Sequence, residues 1–355
     1  MTSHARASPQ QRRSAAPFRQ RILPIIASMV GAAVSAEYLQ AYLPETGDAV
    51  ALAGGLLVLG PLYGGAALLI RETAIRAGLG WRGVLLLAAA FGLTMTSRVD
   101  GSMWLAHDPD IAYWDDLRAG TLLEPLGFAA YPVLSWVTGH TVFSIGAPLA
   151  LLDALAPRHR GRPLLGRPGL VVVATLCLAA ALLIRYDPEQ AGSDPTAPQA
   201  WISLLAALGL AALGLSPAGR RRRDNLRPLR GHTKQRGRSV RVAVLAVVAL
   251  TVLDVMPATW AGVGGYLVVL AGAGWWLSSI SGSRGWGVPE VTALGVAAVV
   301  ERTLLGVLAP RPPGVNLTEK VVQSAILSAL VAVVAVVAWR AGRSIPEASR
   351  PDAPR

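Results

Sequence analysis

Ten stretches of mostly apolar residues, most of them long enough to cross a bilayer as a helix, follow one another along this chain with polar breaks between them. A run of about 20 apolar residues spans the roughly 30 Å hydrocarbon core as a helix. In lipid every backbone N–H and C=O must be satisfied internally, which leaves a helix as the solution for an open segment. The runs lie at residues 22–43, 49–70, 83–97, 131–155, 169–184, 200–216, 241–259, 262–280, 289–309 and 320–339. The third, fifth and sixth are short and are expected to extend into their flanks. With 15% charged residues and a mean hydropathy of +0.46, the chain is too apolar for a soluble domain of 355 residues. The expected fold is all-α: one polytopic transmembrane helix bundle of about ten helices over 22–340. Basic tails at 1–21 and 341–355, rich in Pro and Arg, are expected to be disordered.

The charges sort by side. Of the 33 Lys and Arg residues, 27 fall in the tails and in every second break. They include Arg19 and Arg21, then Arg71, Arg76 and Arg82, then Arg158, Arg160, Arg162 and Arg167. Ten lie in the basic loop at 217–241, with the run Arg220 to Arg223, and Arg284 and four C-terminal Arg follow. The other breaks hold Arg98, Arg118, Arg185, Arg311 and Lys320, and Arg302 is left inside a run. Those breaks are acidic instead: Glu45 and Asp48, then Asp100, Asp108, Asp110, Asp115 and Asp116 in an outer loop at 98–121 with Glu124 just after it, then Asp187, Glu189 and Asp194. Cytoplasmic loops retain Lys and Arg, so both termini are expected on the cytoplasmic side of a bacterial plasma membrane.

This sorting accounts for the net charge of +12 and argues against nucleic acid as a partner. The expected partners are the bilayer itself, with anionic headgroups drawn to the basic loops at about 1 kcal/mol per nearby charge, and another membrane protein or a second copy of the chain. Arg outnumbers Lys 31 to 2, a pattern of GC-rich coding rather than of guanidinium chemistry. The single Cys177 excludes a disulfide within one chain. Trp81, Trp104, Trp114, Trp201, Trp260 and Trp339 fall near run ends, where amphipathic rings favour the interface. Val34-Ser35-Ala36 after a basic start also fits a cleaved signal peptide, but Tyr38, Leu39, Ala41, Tyr42 and Leu43 continue the apolar run and argue for an uncleaved first helix. No internal repeat is apparent.

Ionisable side chains inside runs are expensive in lipid and point to function. Glu301 and Arg302 sit midway along the ninth run; Glu37, His140 and Asp254 are available as partners on other runs. Together these five form an expected solute or ion path, against the simpler reading of a structural ion pair. Glu290 lies three turns before Glu301. His140 either bonds across helices or shuttles protons. Glu72 and Arg76, spaced i,i+4, stabilise a helix end. In Gly60-Pro61-Leu62-Tyr63-Gly64-Gly65, Pro61 is expected to kink or break its helix, and Gly60 and Gly64 to allow close packing; Pro132 and Pro148 are expected to bend the fourth helix. The segment His107 to Asp116 reads as a solvated acidic loop, with cation binding as the sharper alternative. No cofactor or metal is expected.

Two resemblances add to this. Glu72 and Arg76 with Trp136-x-x-x-His140 resemble the glutamate-arginine and aromatic-histidine motifs of the CAAX-processing and bacteriocin-processing intramembrane metalloproteases. That resemblance implies a membrane-embedded enzyme acting on a lipid or peptide, with Glu72, Arg76 and His140 at its centre. The family's first motif has two adjacent glutamates, however, and here Arg71 occupies the first of those places. A second intramembrane histidine is missing, so the three ligands that metal hydrolysis needs are not supplied. Separately, the stretch from Ser35-Ala36-Glu37-Tyr38-Leu39-Gln40 through Gly60-Pro61-Leu62-Tyr63-Gly64-Gly65 and Arg71-Glu72 to His140 resembles a group of uncharacterised multi-pass membrane proteins of high-GC bacteria. It covers residues 25–156 most clearly and implies a shared bundle without an activity. A permease-like or transport-associated protein is the function expected first. The alternatives are the membrane enzyme and a non-catalytic subunit of a membrane complex.

Overall fold

The computed structural model describes residues 17–108, 111, 113–187, 194–220, 232–281 and 286–343. Most of both tails, Arg221 to Arg223, Arg284, Asp110 and Glu189 lie outside the described residues. The helices are α1 (Arg19–Tyr38), α2 (Ala49–Ala77), α3 (Trp81–Val99), the short α4 (Trp114–Ala119), α5 (Ala130–Leu155), α6 (Arg167–Arg185), α7 (Ala197–Leu215), α8 (His232–Asp254), α9 (Trp260–Ser281), α10 (Val288–Leu308) and α11 (Leu317–Arg343). A two-residue hairpin, β1 (Leu122–Leu123) with β2 (Phe128–Ala129), is the one sheet among the described residues.

Among the described residues, nine helices are long and apolar enough to cross a membrane: all except α4 and α8. α8 has 23 residues, about 34 Å at 1.5 Å per residue, and so matches the bilayer in length. Arg238 and Arg241 near its start and Asp254 at its end shorten its apolar stretch. The chain is therefore an all-α polytopic bundle, with the third, fifth and sixth runs extended as expected.

The helix ends gather on two sides in strict alternation. On the basic side, Gly80 N–H donates to Gly219 O (2.8 Å), Arg238 to Ile280 O (2.9 Å) and Ser239 to Glu290 (3.3 Å). On the acidic side, Tyr131 donates to Met256 O (2.6 Å), Gln199 to Leu126 O (2.9 Å) and Lys320 to Ala309 O (2.6 Å). The charge pattern thus predicts the up-down threading.

The helices divide into inner and outer sets. Half of the apolar window of α10 is buried, against 11% of that of α6 or α9. Leu183, Leu205 and Val268 on the outer helices are exposed, a cost in water but not in lipid. The inner set of α1, α2, α3, α5 and α10 packs closely through small residues. Gly64 is the tightest point: a Cβ there would overlap the backbone of Met29, so α2 crosses α1 at backbone contact.

Three expectations change. The first helix does not run on to Leu43 but ends at Tyr38: Leu39 N–H closes onto Val34 O (3.1 Å), and Ala41 takes φ +47°. Gly306 of α10 packs against the Leu39–Gln40 backbone there, leaving no room for another turn. Pro61 does not break its helix, because the ladder widens to a π-turn at Gly60–Gly64 and continues to Ala77. Pro148 is handled likewise, after a π-segment at His140–Gly146. In the outer loop His107, Asp115 and Asp116 are exposed, while two tryptophans are packed inward. Trp104 and Trp114 are buried, their indole N–H groups bonded to Ser97 O (2.8 Å) and Leu105 O (3.1 Å), so neither anchors the interface. Trp201 and Trp260 remain exposed at helix ends, as interface anchoring requires.

Candidate functional site

The bundle holds two groups of buried charges, one in each half. In the basic half Glu72 is fully buried, and every part of its carboxylate is used. Oε1 accepts from Leu164 N (2.5 Å) and Leu165 N (3.1 Å), and Oε2 from Arg76 (2.9 Å). Arg71, 3.6 Å from Glu72, donates onward to His159 O (2.7 Å) and Arg162 O (3.2 Å), while Arg76 also reaches Leu165 O (2.6 Å). These contacts clip the α5–α6 connection to the end of α2. The Glu72 carboxylate is thereby fully satisfied.

The acidic half is built differently. Each of α1, α2, α3 and α5 carries a π-segment: Val34–Tyr38, Gly60–Gly64, Met95–Val99 and His140–Gly146. A π-turn inserts one residue into the ladder, turns the following side chains to a new direction and is frequent at functional sites. Glu37, Tyr63 and His140 lie on three of these segments, and Asp100 follows the fourth directly.

Their side chains converge. The hydroxyls of Tyr42 and Tyr63 donate to Oε2 and Oε1 of Glu37. The Tyr63 ring stacks on the imidazole of His140 at 5.7 Å, and Phe91 presents its edge to both at about 6 Å. Gly92 makes room for this: a Cβ there would stand 2.9 Å from that of His140. His140 Nδ1 pairs with Ser144 Oγ at 3.1 Å. Asp100 Oδ1 accepts from Ser102 N at 2.9 Å; burial pushes its carboxyl up to about 6, against the pull of Ser102, with Glu37 adding to the rise.

Arg302 closes the group from α10. Its guanidinium carbon sits 4.5 Å over the Phe143 ring, a cation–π contact. Asp254, Tyr42, Glu37 and Glu301 are all close enough to act on it electrostatically, yet it forms no ion pair among the described residues. Glu301, 3% exposed, lies beside Asp254. Arg302 Nε, Glu301 Oε2 and Asp254 Oδ2 are buried without a hydrogen-bond partner among the described residues.

The middle of α5 is partly accessible. Every residue from Val133 to Val142 keeps part of its surface accessible, on all faces of α5, although α3, α4 and α9 pack around it. Tyr42, at the acidic end, is 39% exposed while its hydroxyl is bonded inward.

The structure thus brings together Glu37, His140, Asp254, Glu301 and Arg302. It does not bring Glu72 and Arg76 to His140: Glu72 lies nine residues beyond Tyr63 on α2, about 13 Å of helical rise further toward the basic side. Glu290 is in the first turn of α10, three turns before Glu301, buried, and accepts from Gly287 N (3.0 Å) and Ser239. Among the described residues no group of three His, Cys, Asp or Glu is arranged to hold a metal ion. Sequence reasoning missed Tyr42, Tyr63, Asp100 and Phe143; the sole signal was the Pro61-x-Tyr63 segment, singled out for its backbone.

No curated protein and no solved structure matches this chain. A model described as an uncharacterised membrane protein family matches residues 28–346, nearly the whole bundle, and this multi-pass integral membrane protein belongs to that family.

Proposed function

We propose that this protein is permease-like, with the chamber in the acidic half as its solute site, lined by Glu37, His140, Asp254, Glu301 and Arg302 and completed by Tyr42, Tyr63 and Asp100. The supporting observation is Arg302: a guanidinium inside the bundle, resting on Phe143 beside two carboxyl groups, with Nε unpartnered. A buried charge without a close partner costs several kcal/mol. The same chain satisfies Glu72 completely, so its fold is able to pair buried charges where structure alone is at stake. Positive-inside sorting makes the acidic side the outer face of a bacterial plasma membrane and both termini cytoplasmic. The basic loops then meet the anionic inner leaflet.

The test is one-sided labelling. In a Cys177→Ala background, His140→Cys is treated with a membrane-impermeant methanethiosulfonate from either side of oriented membranes. Reaction from the acidic side is expected, and Leu205→Cys, facing lipid on α7, should not react. Absence of reaction at position 140 from both sides would overturn the reading.

A further inference from the structure

We infer that the basic corner where α1, α2, the α5–α6 connection and α6 meet binds one anionic phospholipid. Its phosphate is held by Arg19, Arg158, Arg162 and Arg167, and its acyl chains lie along the lipid-facing sides of α1 and α6. Nothing in the acidic half enters this site.

The arginines of this corner fall into two kinds. Arg21 donates to Leu164 O (2.8 Å), Arg71 to His159 O (2.7 Å), Arg76 to Leu165 O (2.6 Å) and Arg160 to Asp153 O (3.1 Å). These guanidiniums brace the backbone of the connection between α5 and α6. Arg19, Arg158, Arg162 and Arg167 stand exposed on the outside of the braced segment, and their guanidiniums have no hydrogen bond or ion pair among the described residues. The carboxylates of the corner lie beneath: Glu72 is fully buried and Asp153 half-buried. The α6 N-terminus adds to the same positive field, since no side chain caps it. Phosphate oxygens are the matching acceptors, because a guanidinium presents its donors as a planar fork.

Beyond the charges, toward the bilayer centre, two neighbouring helices present apolar stripes. Leu23, Ile26 and Val30 follow Arg19 on one face of α1, and all three are exposed. Val171, Leu178 and Leu182 follow Arg167 on one face of α6 and are exposed in the same way. Both helices flank α2: Gly64 lies against Met29 of α1 and the next residue, Gly65, against Cys177 of α6, directions about 100° apart on a helix. The bond from Arg21 to Leu164 O joins the start of α1 to the segment that leads into α6. A phosphate at the arginines therefore sets its two chains on two stripes that each begin at an arginine. A soluble anion would use the arginines and leave the stripes out. An apolar partner helix would cover the stripes and leave the arginines without an acceptor.

The experiment titrates the full chain, purified in a mild detergent, with dioleoylphosphatidylglycerol, dioleoylphosphatidylcholine or glycerol 3-phosphate. Native mass spectrometry counts the bound molecules, and thermal melting reads their effect. One phosphatidylglycerol should be retained about tenfold or more in preference to phosphatidylcholine, and glycerol 3-phosphate should not bind at the same concentration. Arg162→Gln combined with Arg167→Gln should lower the phosphatidylglycerol affinity about tenfold or more. Arg340→Gln combined with Arg343→Gln removes as many exposed charges from the basic end of α11 and should change it by less than about twofold. Without lipid, both double variants should melt like the wild type, since neither removes a hydrogen bond among the described residues. Should the first pair fail to fold, Arg162→Gln and Arg167→Gln are read singly, each with a loss of about threefold or more. Equal retention of the two lipids overturns the site. Equal losses in the two double variants overturn it as well, leaving only the general attraction of an anionic leaflet. Binding of glycerol 3-phosphate as tight as that of phosphatidylglycerol would give the arginines to a soluble anion and overturn the lipid.

Discussion

Glu72 and Glu301 are both glutamates buried in the same bundle, and they are treated in opposite ways. Glu72 accepts two backbone N–H groups and faces two arginines, with nothing left over. Glu301 meets a second carboxyl group, keeps Oε2 unpartnered among the described residues, and neighbours an arginine that has no ion pair among them. Burial alone therefore says little about role; the degree of satisfaction separates a clip from a site. A clip contributes stability because each partner depends on it. A chamber holds its charges under-satisfied and stays available to a ligand.

That contrast can be broken by mutation. Glu72→Ala leaves Arg71, Arg76 and two buried N–H groups without their acceptor, and should cost about 3–5 kcal/mol, read as a large fall in the melting temperature of the detergent-purified protein. A small fall would mean that the clip is incidental. Gly64→Val forces a Cβ into the Met29 backbone and should cost about 1–3 kcal/mol, with reduced folded yield, because α1 and α2 cannot separate without opening the core. Glu301→Gln should change stability by less than about 1 kcal/mol, since it removes no well-made ion pair. A loss as large as that of Glu72→Ala would make the acidic-half group structural.

Asp100 offers a finer test. Its folded value of about 6 lies above the ordinary 3.8, so the folded state holds this proton more tightly than the unfolded chain. The resulting stability is present below 3.8 and is lost as pH rises through about 6. Melting temperatures of the wild type should therefore decline across that window more steeply than those of Asp100→Asn. Equal slopes would place Asp100 in a wetter setting. The smallest effect is expected for His107→Ala: its contact with Asp115 is exposed on both sides, and less than about 0.5 kcal/mol should be lost.

The spans, their alternation and most of their ends were legible in the sequence, because lipid imposes length and backbone satisfaction on every crossing segment. Five members of the proposed site were legible for the same reason: Glu37, His140, Asp254, Glu301 and Arg302 are costly in apolar runs wherever they point. Tyr42, Tyr63 and Phe143 were not, since an aromatic ring in such a run is unexceptional. Nor could the sequence separate Glu72 from Glu301. The acceptors of Glu72 are backbone N–H groups 92 and 93 residues away, and no side-chain pattern encodes them. Convergence in the acidic half depends on four π-turns, whose one extra residue per helix redirects Glu37, Tyr63 and His140 toward one another.

The central claim is that water reaches the acidic-half group through the bundle. Hydroxyl-radical footprinting of the native protein in nanodiscs, read by mass spectrometry, tests it without any substitution. Trp136 and His140 should be oxidised, while Leu205 and Leu208, equally deep but facing lipid, and Leu164 at the Glu72 clip stay protected. Protection of Trp136 and His140 to the level of Leu205 would contradict the account.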